Sequence, residues 1–191
     1  MLWVPQRFSI GTGCIVSLGL LACLVVAAYW GWPRMITRGS NAAARAACQS
    51  VVNAVVNFDT DYGHPPLPAG VRPGLDFDTV TSGAAGFITV LKGYDQTRNP
   101  KETDYLGEIK DARILDGPRI VDGLYREREN VIALFDSWGL PFRIRVDGDK
   151  DNRVADPAIP GAVLYERILI WSAGKDGNFT TWDDNVTSWE R

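Results

Sequence analysis

The sequence predicts an α+β fold in which helices come first and strands follow. Three observations predict it: an uncharged apolar run, a helical pattern of apolar residues after it, and strand patterns with turn signals in the second half. The chain has 191 residues, of which 46% are hydrophobic and 23% are charged. These values describe an ordinary globular domain preceded by one apolar segment. The residues beyond that segment are enough for one domain with a single core.

The apolar run extends from Ile10 to Trp32 without a charged residue, which is long enough to cross a bilayer as a helix. Aromatic residues lie near both of its ends, as they do at membrane interfaces. They are Trp3 on one side and Tyr29, Trp30 and Trp32 on the other. We therefore interpret residues 1–33 as a retained transmembrane anchor.

Two other interpretations of this segment are open. A signal peptide could be cleaved near Ala27 and Ala28, although the apolar stretch is longer than a usual signal. A lipoprotein signal is the second alternative, because the residues leading to Cys23 read L-L-A-C and resemble a lipobox. The residues after Cys23 stay apolar, which favours the anchor.

An amphipathic helix is predicted over Ser40 to Asp61, within a segment 34–66 that also contains its exit turn. Apolar residues there recur at three- and four-residue spacing and form a broad stripe. Ser40 or Asn41 can cap its start. The sequence Y-G-H-P-P from Tyr62 stops it, since glycine suits a left-handed exit and proline bars continuation.

The middle of the chain predicts short elements. Leu67 to Asp78 is rich in proline and glycine and predicts an extended loop. A short helix is predicted over Thr79 to Leu91. One or two further turns of helix are predicted over Asn99 to Ile109. Ala112 to Tyr125 contains two turn signals and predicts short strands and hairpins. The buried side of the first short helix is predicted to consist of Phe87, Ile88, Val90 and Leu91.

A strand and an acidic loop follow. Phe142 to Val146 alternates apolar residues with arginines, as in a half-exposed strand. The next residues, Asp147 to Asn152, resemble the start of a calcium-binding D-x-D-x-D loop. Asn152 stands where that loop has glycine and Ala158 stands where it has glutamate. We therefore predict a hairpin turn with solvated carboxylates, and weak binding completed by Asp156 is the alternative.

The last segment is a second acidic loop after an apolar run, Leu164 to Trp171, that predicts one strand. Gly174 and Gly177 let this loop turn tightly. Carboxylates and carbonyls in a flexible loop suit Ca²⁺ better than Mg²⁺. The alternative is a solvated turn in which the aspartates cap their own backbone. The carboxylates of the loop are Asp176, Asp183 and Asp184.

Two stretches of the second half resemble the major pseudopilins of bacterial type II secretion. They are D-S-W-G-L-P-F, from Asp136 to Phe142, and W-S-A-G-K-D-G with W-D-D-N-V-T-S-W, between Trp171 and Trp189. In that family a D-P-W-G-N-P-Y turn leads into strands, and S-x-G-x-D-G precedes an acidic Ca²⁺ loop and a terminal tryptophan. The resemblance covers the last third of the chain. It extends loosely to the helix exit at Tyr62 but not to the middle.

This resemblance implies a pilin-like fold, in which a long helix leaves the membrane and packs on a small antiparallel sheet within 67–191. It implies a structural subunit of a type II secretion or type IV pilus-like apparatus. Its partners would be the bacterial inner membrane and copies of itself or other pilin-like subunits. It also implies Ca²⁺ as the bound ion. The implied ligands are the carboxylates of Asp176, Asp183 and Asp184, with the main-chain carbonyls of Ala173 and Asn178 as less certain additions.

The N-terminal part departs from that family. Gly11 and Gly13 are not followed by the residues that a prepilin peptidase recognises, and the apolar run contains no acid. Processing and filament assembly are therefore in doubt.

Two signals disagree on orientation. Arg7 precedes the run whereas Arg34, Arg38 and Arg45 follow it, so the positive-inside rule places the domain in the cytoplasm. The resemblance implies the periplasmic side of the inner membrane, and we follow the resemblance.

Composition and motifs argue against several other functions. The net charge of −3 and the absence of a basic cluster exclude a typical nucleic-acid-binding protein. Cys48 is the only cysteine beyond the apolar run, so no disulfide is predicted in the globular part. His64 is the only histidine, and no motif predicts catalysis on a small-molecule substrate. We therefore predict a protein that is not an enzyme.

Two rival functions stay open. One is a membrane-tethered extracytoplasmic module that binds carbohydrate or protein through exposed tryptophans. The other is a metal-dependent hydrolase that uses the cluster from Asp147 to Asp151, which requires a concave site formed by both acidic loops.

Overall fold

The first helix has the predicted amphipathic stripe. The computed structural model describes residues 39–115 and 117–189, and residues 39–62 form helix α1. α1 ends at Gly63, which has φ +73° and whose N–H donates to the Asp59 carbonyl at 2.8 Å. The predicted exit turn is thus confirmed. Ser40 and Asn41 both lie inside the helix, so neither acts as the cap. The residues that α1 buries include Ala44, Cys48, Val51, Val55 and Phe58.

No helix within 39–115 and 117–189 is both long enough and apolar enough to span a bilayer. The anchor predicted over residues 1–33 lies outside the described residues.

In the described part of the chain, ten short strands follow α1, with a 3₁₀ turn at Gly83–Ala85 and a short helix α2 at Phe87–Leu91. The strands are β1 (Phe77–Val80), β2 (Arg113–Ile114), β3 (Ile120–Val121), β4 (Gly123–Arg128), β5 (Val131–Phe135), β6 (Arg143–Val146), β7 (Val154–Ala155), β8 (Val163–Leu164), β9 (Ile168–Ser172) and β10 (Val186–Thr187). The central antiparallel sheet has the order β1-β6-β9-β10, and β2-β3, β4-β5 and β7-β8 pair separately. The predicted α+β class with an antiparallel sheet is confirmed.

The central sheet has two different faces because successive side chains point to opposite sides. Ile144 lies opposite Ile170 in the register, and both are fully buried in the core that contains α1 and α2. Arg143 lies opposite Trp171 on the other face. The inner face therefore holds the main core, and the outer face carries arginines and aromatic residues.

The C-terminal loop covers part of that outer face. Trp171 packs there against Trp182 and Trp189, with ring centroids 6.0 to 6.4 Å apart. Leu169 and Val154 complete this smaller cluster, separate from the main core.

Three predicted elements need correction, two in the middle of the chain and one near its end. The helix predicted over Thr79 to Leu91 is confined to α2, because Thr79 and Val80 pair with β6 instead. The residues of α2 that were predicted to be buried are all fully buried. The strand predicted over Leu164 to Trp171 is divided between β8, which pairs with β7, and β9, which pairs with β6.

The helix predicted over Asn99 to Ile109 is replaced by turns. Asn99 is fully buried, and its side-chain amide donates to the carbonyls of Val90 and Thr103 at 2.8 Å each. Its Oδ1 accepts hydrogen bonds from the Tyr62 hydroxyl and the Thr103 N–H. These side-chain bonds satisfy backbone groups that a helix would otherwise pair. The strands and hairpin predicted over Ala112 to Tyr125 are confirmed by β2, β3 and the start of β4.

Candidate functional site

The predicted calcium loop begins where β9 ends. Gly174 has φ +66°, and a Cβ at this position would overlap the main-chain oxygen of Asp184. The loop closes on itself at this point, and only glycine fits there. The Oδ2 atom of Asp184 accepts hydrogen bonds from the N–H groups of Lys175 at 2.8 Å and Asp176 at 3.0 Å. Asp176 and Asp184 are thus brought together through the backbone.

The Asp176 carboxylate is also bonded within the loop. It accepts hydrogen bonds from the Thr181 hydroxyl at 2.5 Å and from the Asn178 N–H at 2.8 Å, and these lower the pKa of Asp176. The Asn178 carbonyl accepts from the Thr181 hydroxyl at 2.9 Å. Asp183 is exposed.

These contacts are those of a turn whose aspartates cap their own backbone, which was the alternative to a metal loop. Carboxylate oxygens that accept one hydrogen bond retain lone pairs for a cation. Ala173, the other residue named for a carbonyl, is fully buried at the start of the loop. The ligand roles of Asp176, Asp183 and Asp184 therefore stay a prediction.

A different group of carboxylates lies close together in the fold. Among the described residues, one set of three acidic side chains has oxygens that all lie within 4.8 Å of one another, and it consists of Asp76, Asp147 and Asp149. Asp76 immediately precedes β1, and β1 pairs with β6, which leads into the loop of Asp147. This triad could hold a metal ion, and its oxygens suit any hard cation. Sequence spacing gives no signal for Asp76, because the strand register alone brings it to the loop.

The prediction that Asp147 is solvated is wrong. Asp147 is only 5% exposed, and its carboxylate accepts hydrogen bonds from the N–H groups of Lys150 at 2.7 Å and Asn152 at 2.8 Å. Burial raises the pKa of Asp147 above its ordinary value, and contacts with Asp149 and Asp76 add to the rise. The charged form of Asp147 is therefore less favourable in the folded domain than in water.

Two main-chain segments, at Leu75–Asp76 and at Gly148, lie close together, and this explains why the Asp147 carboxylate is buried. The Gly148 N–H donates to Asp76 Oδ1 at 3.0 Å. A Cβ on Gly148 would overlap the Leu75 carbonyl oxygen, so the two segments can touch only through a glycine. Lys150 binds Asp59 near the end of α1 at 2.6 Å, which fixes the loop against the helix.

The two acidic loops lie at opposite ends of the β6-β9 pair. Val146, which precedes the first loop, pairs with Ile168 at the start of β9. The second loop follows the other end of β9, where Trp171 pairs with Arg143. A hydrolytic site formed by both loops is therefore excluded.

The two stretches that resemble pseudopilins meet at Asp136. This carboxylate is 1% exposed and accepts the hydroxyl hydrogen of Ser172, itself fully buried, at 2.5 Å. Its other oxygen accepts the N–H groups of Trp138 at 2.9 Å and Leu140 at 2.8 Å, which hold the turn. The Ser172 hydroxyl oxygen in turn accepts the Gly174 N–H at 3.0 Å. One buried carboxylate thus joins the turn to the start of the C-terminal loop.

The tryptophans of the described part form no exposed platform. Trp171 is 4% exposed and Trp189 is 7% exposed, while Trp138 and Trp182 are half-buried. They serve mainly as core and loop anchors.

Comparisons with known proteins add no relative. Neither the protein-family models, nor the curated proteins, nor the solved structures give a match to this chain.

The raised pKa of Asp147 gives a pH-dependent prediction. Because the folded pKa exceeds the unfolded value, this group's contribution to stability is full below the unfolded pKa and is lost as pH rises through the folded pKa. Replacing Asp149 with asparagine removes one neighbouring charge. We expect Asp149→Asn to raise the free energy of unfolding by about 0.5 kcal/mol at about pH 7, and to have little effect at about pH 3. Urea unfolding at both pH values measures this.

Asp151→Asn is the matched control, because Asp151 is an exposed carboxylate of the same loop outside the triad. Its effect should be smaller at both pH values. An equal gain from both variants would show that general loop charge, not the triad, opposes folding.

Proposed function

We propose that this chain is a membrane-anchored, pseudopilin-like structural subunit of a type II secretion or type IV pilus-like apparatus. The observation that carries the proposal is the bond between Asp136 and Ser172. It joins the two stretches on which the sequence resemblance rests, so these stretches form one structural unit. Gly174, another residue of these stretches, is explained by its close approach to Asp184, because a Cβ at this position would overlap the main-chain oxygen of Asp184.

The arrangement of α1 supports a role in assembly. One side of α1 packs into the main core, whereas Gln49, Asn53 and Val56 on its other side are exposed. A subunit that packs against neighbours through its long helix needs such a free side. With the predicted anchor in front, α1 would project from the periplasmic side of the inner membrane.

We also propose that Ca²⁺ binds the C-terminal loop through Asp176, Asp183 and Asp184. The hydrogen bonds of Asp184 and Asp176 already arrange the backbone of this loop, and hard oxygen ligands suit the ion. Ion binding would stabilise the fold by mass action, because only the folded loop gathers the ligands. The loop leads into β10 and Trp189, so it would fix that segment on the sheet.

Cysteine crosslinking in bacteria that carry the apparatus tests both location and assembly. The full chain with Asn53→Cys, and with Cys14 and Cys23 replaced by serine, leaves Cys48, which is fully buried, as the only other thiol. A membrane-impermeant maleimide should label the new cysteine in intact spheroplasts. A bifunctional form should produce covalent dimers, which are the largest product that one accessible thiol per chain allows.

Glu129→Cys, on the exposed β4-β5 turn, is the labelling control. Labelling that requires cell lysis at both positions would place the domain in the cytoplasm. Efficient labelling at Asn53→Cys with only monomers after crosslinking would contradict assembly through α1.

Metal removal tests the calcium loop. We expect EDTA to lower the melting temperature of the full chain in detergent by about 4 °C, and added Ca²⁺ to restore it, as for an ion worth about 1 kcal/mol of stability. Asp184→Ala should abolish this dependence on Ca²⁺, and Asp149→Ala should preserve it. Differential scanning fluorimetry with and without Ca²⁺ gives the comparison. If only Asp149→Ala abolishes the dependence, the ion binds the triad; if EDTA has no effect on the unaltered chain, the ion is not bound.

A further inference from the structure

A cleft of about 940 Å³ lies on the outer face of the central sheet. β1 and β6 form its floor. The segment from Ala155 to Gly161, the C-terminal loop from Phe179 to Trp182, and the residues Ala85 and Trp171 contribute the rest of its lining. Its volume is within the range of ligand-binding pockets, and its lining combines aromatic rings with a few charged groups, as such pockets do.

The charges on the floor are unevenly compensated. Arg145 binds both oxygens of Asp78, at 2.6 and 2.7 Å, and also the Ala155 carbonyl. Asp156, near Arg145, is 9% exposed and accepts the Ala158 N–H. Arg143 is exposed, and within the described part of the chain no carboxylate lies within 4 Å of it. Arg143 therefore supplies the uncompensated positive charge of the cleft.

The guanidinium of Arg143 is also oriented. Its central carbon lies 4.1 Å from the centre of the Phe179 ring. Stacking on an aromatic ring restricts the planar guanidinium while leaving its N–H groups able to bind a carboxylate with two parallel hydrogen bonds. This geometry favours a carboxylate over a neutral partner.

Trp171 is the neighbour of Arg143 in the lining of the cleft. Trp171 lies directly opposite Arg143 in the register, on the same face of the sheet. It lines the cleft and is 4% exposed, and its Nε1 atom is buried without a hydrogen-bond partner. A buried N–H without a partner is uncommon and costs stability. The Trp171 ring packs against Trp182 and Trp189, so it contributes an apolar wall to the cleft, and its N–H is out of reach of a ligand there.

The edge of β1 indicates the shape of the ligand. β1 is the terminal strand of the sheet, and three consecutive residues of it, Asp78, Thr79 and Val80, line the cleft. Alternate side chains of a strand point to opposite faces, so a run of three indicates that the main chain itself borders the cleft. An unpaired strand edge can accept an extended peptide.

We propose that this cleft binds an acidic peptide segment in an extended conformation. A glutamate or aspartate side chain of the peptide binds the guanidinium of Arg143, and the main chain of the peptide lies along β1. This is a binding activity in addition to the proposed role as a structural subunit, and it does not depend on that role.

Fluorescence anisotropy on the full chain in detergent tests this inference. The probe is a fluorescein-labelled peptide of alternating glutamate and valine, and the matched probe has glutamine in place of glutamate. We expect the glutamate peptide to bind at least about tenfold more tightly than the glutamine peptide, because the hydrogen bonds to its carboxylate are charge-assisted. Arg143→Ala should weaken binding of the glutamate peptide by at least about tenfold and should leave binding of the glutamine peptide nearly unchanged.

Arg128→Ala is the control, since Arg128 is exposed on β4 and does not line the cleft. Its affinity for both probes should equal that of the unaltered chain. Arg143→Lys keeps the charge but loses the planar donor set, so we expect an intermediate affinity. A melting temperature within about 2 °C of the unaltered chain verifies that each variant is folded.

Four results would overturn the inference. One is equal affinity for the glutamate and glutamine peptides, and another is equal weakening by Arg143→Ala and Arg128→Ala. The third is that neither peptide displaces the other, whereas an oligogalacturonate binds and Arg143→Ala weakens its binding. The ligand would then be an acidic saccharide. Absence of any peptide binding by the folded, unaltered chain would also reject it.

Discussion

The arrangement of the C-terminal half depends on the hydrogen bonds that the Asp136 carboxylate accepts. A charged group that is 1% exposed is costly unless hydrogen bonds replace its water. Asp136 has such bonds from its own turn and from Ser172. Removal of either partner group would leave a buried polar atom unpaired. The turn before β6 and the loop after β9 are therefore constrained by one carboxylate, because it must keep hydrogen bonds to both of them.

This constraint explains how the two faces of the sheet acquire different functions. The inner face, with Ile144 and Ile170, packs under α1 and makes the domain stable. On the outer face, the C-terminal loop is held where Trp182 packs on Trp171 and where Phe179 stacks on Arg143. The position of the loop thus completes both the tryptophan cluster and one wall of the cleft. Assembly through α1 and binding on the outer face would use separate surfaces.

Local sequence signals predicted those parts of the fold that depend on local physics. The apolar stripe of α1, the alternation in β6 and the buried residues of α2 follow from periodicity, and the structure has each of them. Where a contact between residues distant in the sequence determines the local structure, the prediction from sequence was wrong. Asn99 replaces a predicted helix with turns because its side chain bonds to groups brought together by the fold.

The candidate sites show the same division. Gly174 and the aspartates of the C-terminal loop were recognisable from their spacing, since a tight turn needs glycine and the residues are close in sequence. The triad of Asp76, Asp147 and Asp149 was not, because the pairing of β1 with β6 brings Asp76 to the loop. The pairing of Arg143 with Trp171 likewise depends on the register between β6 and β9. Sequence alone does not specify which residues of two strands lie opposite each other.

A double-mutant cycle on Asp136 and Ser172 tests the central contact most directly. Denaturant unfolding would give the free energies of the unaltered chain, Asp136→Ala, Ser172→Ala and the double variant, with Ser137→Ala as a control at a half-buried serine of the same turn. We expect Ser172→Ala to cost about 2 kcal/mol, Asp136→Ala to cost about 3 kcal/mol or more, and the double variant to cost less than their sum by about 1 kcal/mol or more. Additive losses, with a coupling energy below about 0.3 kcal/mol, would show that the two stretches are not joined through this bond and would contradict the account.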